Sequence, residues 1–410
     1  KKKNPRQKLK IHNKTEKQKS VQNSKVMHIA FWIALIVLAN SVCSFAIEWP
    51  ASANDVRDAS WSSPGVSVDE AGPAGGGKRI ILSKRPKGAF KDNDFKVLVE
   101  DIPEPKEDEV VVKNIYISID PTHRIWASDE PQYMPCVQPG TCMRALTVSK
   151  VVKTSDSKLM PVGTYVTTFG GVQEYARLPI AGCYPVDSES PLTNNLSILS
   201  PIIGLTAWVG TNICEPKEGK TVVVSGAAGA VGSAAAQIAK NRGAKVICIA
   251  GSADKCKWLT EDLGLDGAIN YKADDVGEKL DELCPEGVDA FFDNVGGPIL
   301  HTVLTKMNNF GNIALCGLID GYNSPKGLGV SLNNFQMLLM RRIKIQGFVC
   351  YDHLADTPTG NAEIAGYIKE GKLNFKEDIQ EVDVEDYVKV VRKLYDGTNT
   401  GKLMMKISSE

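Results

Sequence analysis

The sequence predicts an α/β fold, a doubly wound parallel sheet joined to a smaller barrel-like β domain. Two observations carry that expectation. First, Thr221-Val222-Val223-Val224-Ser225 runs straight into Gly226-Ala227-Ala228-Gly229-Ala230-Val231-Gly232, and then into Ser233 to Arg242, a Pro-free segment with good helical positions. Strand, tight turn and helix in that order open a βαβ unit whose helix N-terminus can take an anion on free backbone N–H groups. Second, strand and helix keep alternating downstream. Lys245 to Ala250 is followed by a helix from Ala253 to Leu263, Gly267 to Asn270 by a helix from Val276 to Leu283, and Ala290 to Asp293 by a helix from Ile299 to Met307, before a further strand from Asn312 to Cys316. Such alternation marks a parallel sheet, and its ligand chemistry collects at the carboxyl ends of the strands.

From the start of the chain, residues 1–26 hold ten Lys or Arg against the single acid Glu16. Over the whole chain the 48 basic and 48 acidic residues cancel, so the body beyond this tail is mildly acidic. An acidic body argues against nucleic acid as a partner, and the tail without apolar periodicity reads as a solvated, disordered arm. Met27 is a candidate initiator, and Ile29 to Ala39 is unbroken apolar sequence. That length suits a signal-peptide h-region better than a membrane span, with Ser44 and Ala46, or Ala51 and Ala53, as small residues for cleavage. The competing reading is a signal anchor, with membrane contact confined to residues 29–46 and Lys25 held on the cytoplasmic side. Residues 48–77, ending Gly72-Pro73-Ala74-Gly75-Gly76-Gly77, read as a linker.

From Lys78 short strands separated by Pro and Gly follow closely: Arg79 to Leu82, Phe95 to Glu100, Glu109 to Ser118, Thr147 to Val152, Tyr165 to Phe169 and Gln173 to Arg177. Little helix lies between them, which predicts the barrel-like antiparallel domain. The tail holds helices near Thr357 to Glu370 and Val384 to Tyr395 and a closing strand, Lys402 to Ile407, expected to pack back on the first domain. The expected division is a leader and linker over 1–77, the β domain over 78–199, the parallel-sheet domain over 200–346, and a return to the β domain over 347–410. Ten cysteines stand singly, without Cys-x-x-Cys, and the five histidines form no His-x-x-x-His, so no zinc site has its ligands at usable spacing.

Where the second strand of a dinucleotide fold ends, an NAD-selective protein places Asp or Glu to accept from the ribose hydroxyls. Here the strand ends Ala250-Gly251-Ser252, small residues that leave room for a 2′-phosphate, and Lys255 supplies a cation. NADPH is therefore the expected cofactor. The competing reading makes Lys255 an exposed helix-surface lysine beside Asp254.

Several stretches stand in a familiar order: Gly204-Leu205-Thr206-Ala207, Val224 to Gly232, Gly251-Ser252-Ala253-Asp254-Lys255, Asn270-Tyr271-Lys272, Phe292-Asp293-Asn294-Val295-Gly296-Gly297, and Cys316-Gly317 through Tyr322-Asn323. Together they closely resemble the zinc-independent medium-chain reductases, within them the prostaglandin reductase (leukotriene 12-hydroxydehydrogenase) branch that includes the plant alkenal double-bond reductases. The resemblance covers about Lys78 to Ile407. It implies a Rossmann domain with a GroES-like domain, a homodimer, and NADPH.

By resemblance, the turn Ala227, Gly229, Ala230, Val231 and Gly232 cradles the pyrophosphate, and Lys255 and Tyr271 hold the 2′-phosphate. Thr206, Asn294, Cys316, Gly317, Phe348 and Val349 lie along the cofactor, and Asn399 closes over the nicotinamide side. Read by themselves, Asn294 is also a turn cap before Gly296-Gly297 and Phe348 plain core. The implied reaction is hydride transfer to the β-carbon of an α,β-unsaturated ketone or aldehyde, a small-molecule substrate. It leaves an enolate, which needs a hydrogen-bond donor at the carbonyl oxygen and a proton for the α-carbon. Tyr322 is the candidate donor, its alternative being a loop tyrosine that merely covers surface.

Two departures bear on substrate. Thr122-His123 stands where many relatives have Tyr-Met, and Val172 where an aromatic usually precedes Gln-Glu-Tyr. His123 is either a new polar group in the pocket or a satisfied structural histidine. The rival functions are an NADPH quinone reductase and a non-catalytic cofactor-binding subunit. For compartment, the fold and unpaired cysteines suit the cytosol, while the leader suggests the secretory system or an organelle.

Overall fold

The structure, a computed structural model, describes residues 76–186, 190–200, 202–325 and 331–410. All of them belong to one compact unit, Trp61–Glu410. The basic tail, the apolar leader and nearly all of the linker lie outside the described residues. Among the described residues no helix is long and apolar enough to cross a membrane.

The strands in chain order are β1 (Gly76–Leu82), β2 (Phe95–Asp101), β3 (Glu109–Ser118), β4 (Thr147–Thr154), β5 (Tyr165–Thr168), β6 (Tyr175–Pro179), β7 (Tyr184–Pro185), β8 (Thr221–Ser225), β9 (Lys245–Ala250), β10 (Gly267–Asn270), β11 (Val288–Asp293), β12 (Met307–Leu315), β13 (Lys344–Gly347), β14 (Glu377–Glu381) and β15 (Lys402–Lys406). Six form a parallel sheet in the order β10-β9-β8-β11-β12-β13. The order reverses beside β8, which leaves a crevice at the carboxyl ends of β8 and β11. A second, mixed sheet runs β14-β15-β3-β4-β5-β7, with β6 also on β3. The last strand returns to this sheet, with Met405 opposite Ile117 and Met404 opposite Ser118.

Burial on both faces explains the valine run in β8. Val222 and Val224 pack with Ala234, Ala235 and Ile238 of the helix Ala230–Asn241. Val223 points the other way, into a core with Ile247, Ile249, Phe291 and Val303. A strand covered on both sides has no polar face, so its sequence is continuous rather than alternating.

Four of the elements that depart from expectation do so for a reason visible in their packing. The helix Ile203–Cys214 is buried on most of its circumference, so no polar face marked its period. Strand β13, Lys-Ile-Gln-Gly, is a polar edge strand without an apolar run, and β14, Glu-Asp-Ile-Gln-Glu, is another. The helix expected over Ala253 to Leu263 is α-helical only to Lys257 and then widens into a π-turn, Trp258–Asp262, where Leu263 N donates to Trp258 O at 3.1 Å. The wider turn buries the adjacent Trp258 and Leu259 together.

The β domain holds a buried ionic cluster. Lys402 Nζ lies 2.5 Å from Asp120 Oδ1 and also donates to Ile119 O at 3.1 Å, and Ser118 Oγ donates to Asp120 Oδ2. Burial opposes the charge on Asp120, but Lys402, then His123 and Ser118, hold its carboxyl below the ordinary carboxylate range. His123 is fully buried, with Nδ1 3.1 Å from Tyr387 Oη, and burial pushes its pKa down to about 4. It is neutral at ordinary pH.

Candidate active site

Ser225 closes β8, and Asp293 closes β11 beside it. Ser225 Oγ donates to Asp293 Oδ1 at 2.6 Å and accepts from Asn294 N at 2.9 Å, while Asn294 Nδ2 donates to Ser225 O at 2.7 Å. Asp293 further accepts from the amides of Val295 and Gly296. Burial raises its pKa, against the pull of these bonds. Asn294 therefore ties two strand ends together at the crevice.

The turn that follows β8 is built on glycine. Gly226 has φ +57°, and a Cβ on Gly232 would stand 2.4 Å from Gly226 O, so only glycine lets the helix start this close to the strand. Gly229 caps the helix Ala230–Asn241 without any side chain, which leaves its first-turn amides open to an anion. Across the turn lies the Asn399 segment: Gly401 N donates to Ala228 O at 2.8 Å, Gly229 bridges Gly401, and the buried Asn399 donates to Gly401 O at 3.2 Å.

A cationic corner forms where β9 and β10 end. Ser252 caps the helix Ala253–Lys257 by accepting from Lys255 N. Lys255 Nζ donates to Gly397 O at 2.8 Å, so its side chain is not the free surface lysine of the competing reading. Burial and then Lys272 push its pKa down, while Asp378 opposes them. Tyr271 lays its ring over Gly251, whose Cβ position is 3.0 Å from the ring edge, and Lys272 Nζ is 6.0 Å from the ring centroid. Lys272 is thus a second cation at this corner. Its place next to Tyr271 was a signal the sequence already carried.

The third group lines a cavity of about 370 Å³ at the ends of β12 and β13, running from Leu315 through Cys316, Gly317 and Leu318 to Tyr322, with Gly347, Phe348, Val349 and Asp352 opposite. Tyr322 Oη accepts from Leu318 N at 3.0 Å, and burial pushes its pKa up to about 12. Its proton is therefore retained and available to donate. Phe348 is a cavity residue whose ring also meets Phe292, centroids 6.2 Å apart, and which lies against Gly210. Thr206 donates to Ile202 O and stands beside Cys350, whose thiol burial pushes up to about 11. Of the two departures, Val172 belongs to a core with Trp126 and Met143, and His123 bonds Tyr387.

The open helix end, the paired lysines and the strand-end cavity fit the pyrophosphate, 2′-phosphate and nicotinamide ends of a dinucleotide. Among the described residues no group of three His, Cys, Asp or Glu could hold a metal ion. The fold and this site define a dinucleotide-dependent oxidoreductase of the two-domain, parallel-sheet class.

Known proteins agree and narrow it. Residues 78–186 match the N-terminal domain of oxidoreductase, and residues 230–365 match the model described as zinc-binding dehydrogenase. The NADPH-dependent curcumin reductase of Escherichia coli is 34% identical over 81% of this chain and 97% of its own length. The 2-alkenal reductase (NADP(+)-dependent) of Nicotiana tabacum is 34% identical over 81% of this chain and 98% of its own. The crystal structure of CurA in complex with NADPH from Vibrio vulnificus superposes with a TM-score of 0.76, at 32% identity, over 81% of this chain and all of that one. The chain belongs to the medium-chain dehydrogenase/reductase family, in its zinc-independent branch, and is an NADP-dependent oxidoreductase.

Proposed function

We propose that this enzyme uses NADPH to reduce the carbon–carbon double bond of α,β-unsaturated ketones or aldehydes. The observation that carries the reading is the strand-end cavity with the Tyr322 phenol at its wall, its oxygen already accepting a hydrogen bond and its proton free to give. The activities named for the curcumin and 2-alkenal reductases support it. When bound, NADPH supplies the hydride that adds to the β-carbon. Electrons then collect on the carbonyl oxygen as an enolate, which the Tyr322 O–H stabilises, and a proton delivered to the α-carbon completes the saturated product.

On this reading Ala227, Gly229, Ala230, Val231 and Gly232 seat the pyrophosphate, and Lys255 and Tyr271, joined by Lys272, hold the 2′-phosphate. Asn294, Thr206, Cys316, Gly317, Phe348 and Val349 lie along the cofactor, and Asn399 closes over the nicotinamide side. The chain divides into 78–199 and 347–410 for substrate and 200–346 for cofactor. It works as a homodimer, for which Phe310 on β12 and Phe335, Leu339 and Met340 at the helix Gln336–Arg341 offer exposed apolar surface.

The decisive test uses NADPH carrying deuterium at the transferred position and a simple enal. Deuterium is expected at the β-carbon of a saturated aldehyde. An allylic alcohol labelled at the carbonyl carbon would instead overturn the reading. Lys255→Ala is expected to narrow the preference for NADPH over NADH by about tenfold, from loss of a charge-assisted contact to phosphate. Steady-state KM values for the two cofactors check this, and an unchanged ratio removes Lys255 from phosphate recognition.

A further inference from the structure

The cationic corner is not built by the parallel-sheet half alone. A further wall is the C-terminus of the helix Tyr387–Asp396, which lies in the chain's return between β14 and β15 of the mixed sheet. Gly397 ends that helix with φ +65°, its N–H turned back to Lys393 O, and its carbonyl accepts from Lys255 Nζ at 2.8 Å. A Cβ on Gly397 would stand 4.0 Å from Lys272 Nζ, so both ammonium groups converge on this helix end. Carbonyls at a helix C-terminus carry partial negative charge and draw cations. Burial first, then Lys272, hold the Lys255 pKa below its ordinary value. Asp378, which opposes them, is already paired with Lys393 at 3.7 Å and accepts from Gln380. Lys272 Nζ, 6.0 Å from the Tyr271 ring centroid, makes no ion pair among the described residues. Two cations that share only partial negative charge are best matched by a dianion.

The same return segment is held on the parallel-sheet half by a short set of polar bonds. Gln237 Nε2 donates to Asn374 O and Gln237 Oε1 accepts from Asn374 N, each at 2.8 Å. Asn241 Nδ2 donates to Lys372 O at 3.0 Å, and Gly401 N donates to Ala228 O, in the glycine turn, at 2.8 Å. Only Thr398, Asn399 and Thr400 separate the residue bonded to Lys255 from the residue bonded to that turn. An ammonium has three donors; one is used on Gly397 O, and two remain.

We infer that the cofactor's 2′-phosphate latches the two halves together: Lys255 and Lys272 hold it while Lys255 keeps its bond to the Gly397 carbonyl, so that a phosphorylated cofactor fastens the Asn399 segment and an unphosphorylated one does not. The inference rests on the phosphate reading of Lys255 above and adds to it a positioning role for Gly397. A dianion between the two ammonium groups removes their repulsion, which lets Lys255 stay on the helix end. Coupling of this kind is reciprocal: what steadies the return segment also tightens phosphate binding. Preference for NADPH then comes from closure as well as from charge.

The test uses full-length protein and two fragments that lack nicotinamide, adenosine 2′,5′-bisphosphate and 5′-AMP, each at saturation as judged by calorimetry. Hydrogen exchange over residues 398–402 reads the contact of Gly401 with Ala228. The bisphosphate is expected to slow that exchange about tenfold more than 5′-AMP does, the scale of one charge-assisted bond. In Lys255→Ala the bisphosphate should protect no more than 5′-AMP, and Lys255→Arg should restore part of the difference. Equal protection by the two fragments in the wild type, or an unreduced difference in Lys255→Ala, overturns the latch; tighter calorimetric binding of the bisphosphate then leaves the phosphate reading standing. If the two fragments bind the wild type equally, the phosphate reading fails and the latch with it.

Discussion

Replacing Lys402 with Met is expected to lower the stability of the protein by about 3–5 kcal/mol, the cost of leaving a buried carboxylate without its partner. Lys402 is 2% exposed and Asp120 7%, so water cannot take over when the ammonium is removed. The loss reflects a stranded charge more than the worth of the pair. Lys402→Met combined with Asp120→Asn should therefore recover much of it in urea unfolding. In the wild type, Asp120 titrates below its unfolded value, so its contribution is present above the ordinary carboxylate range and is lost as pH falls through the folded pKa. In the Met variant burial is opposed only by His123 and Ser118 and raises that pKa, so stability falls as pH rises. The deficit should be largest near neutrality and shrink below about pH 4. A deficit under about 1 kcal/mol at neutral pH would mean that the pair is solvated in solution, as surface pairs are.

Tyr322→Phe is expected to lower kcat/KM for an enal by about a hundredfold, the scale of losing one donor to a developing oxyanion. NADPH affinity separates this from a cofactor defect, since the phenyl ring still fills the cavity wall. The substitution also deprives Leu318 N of its acceptor, at a cost of about 1–3 kcal/mol that thermal unfolding would register. With the phenol pKa pushed up to about 12, its ionisation should not limit the wild-type rate at ordinary pH. Full turnover by the Phe variant would assign the proton donor elsewhere.

Much of the parallel sheet was legible because its signals are local. Thr221 to Ser225, Lys245 to Ala250 and Gly267 to Asn270 are apolar runs closed by turn residues, and each begins and ends as expected. The edge strands β13 and β14 were not legible, since an edge strand needs no apolar face of its own and is defined by its neighbour's register. The helix Ile203–Cys214 was hidden for the opposite reason, being too buried to show a period.

The sequence by itself determined the class of fold, the glycine turn and the small, acid-free end of β9, because each depends on residues within one loop or strand. What only the tertiary structure decided is how distant stretches meet. It put Lys255 against Gly397, Gly401 against the turn at Gly229, Lys402 beside Asp120, and the ring of Tyr133 near that of Tyr351. Such contacts follow from strand register and from the return of β15 to β3, which no local pattern encodes. Substrate choice therefore does not turn on Val172, which is core.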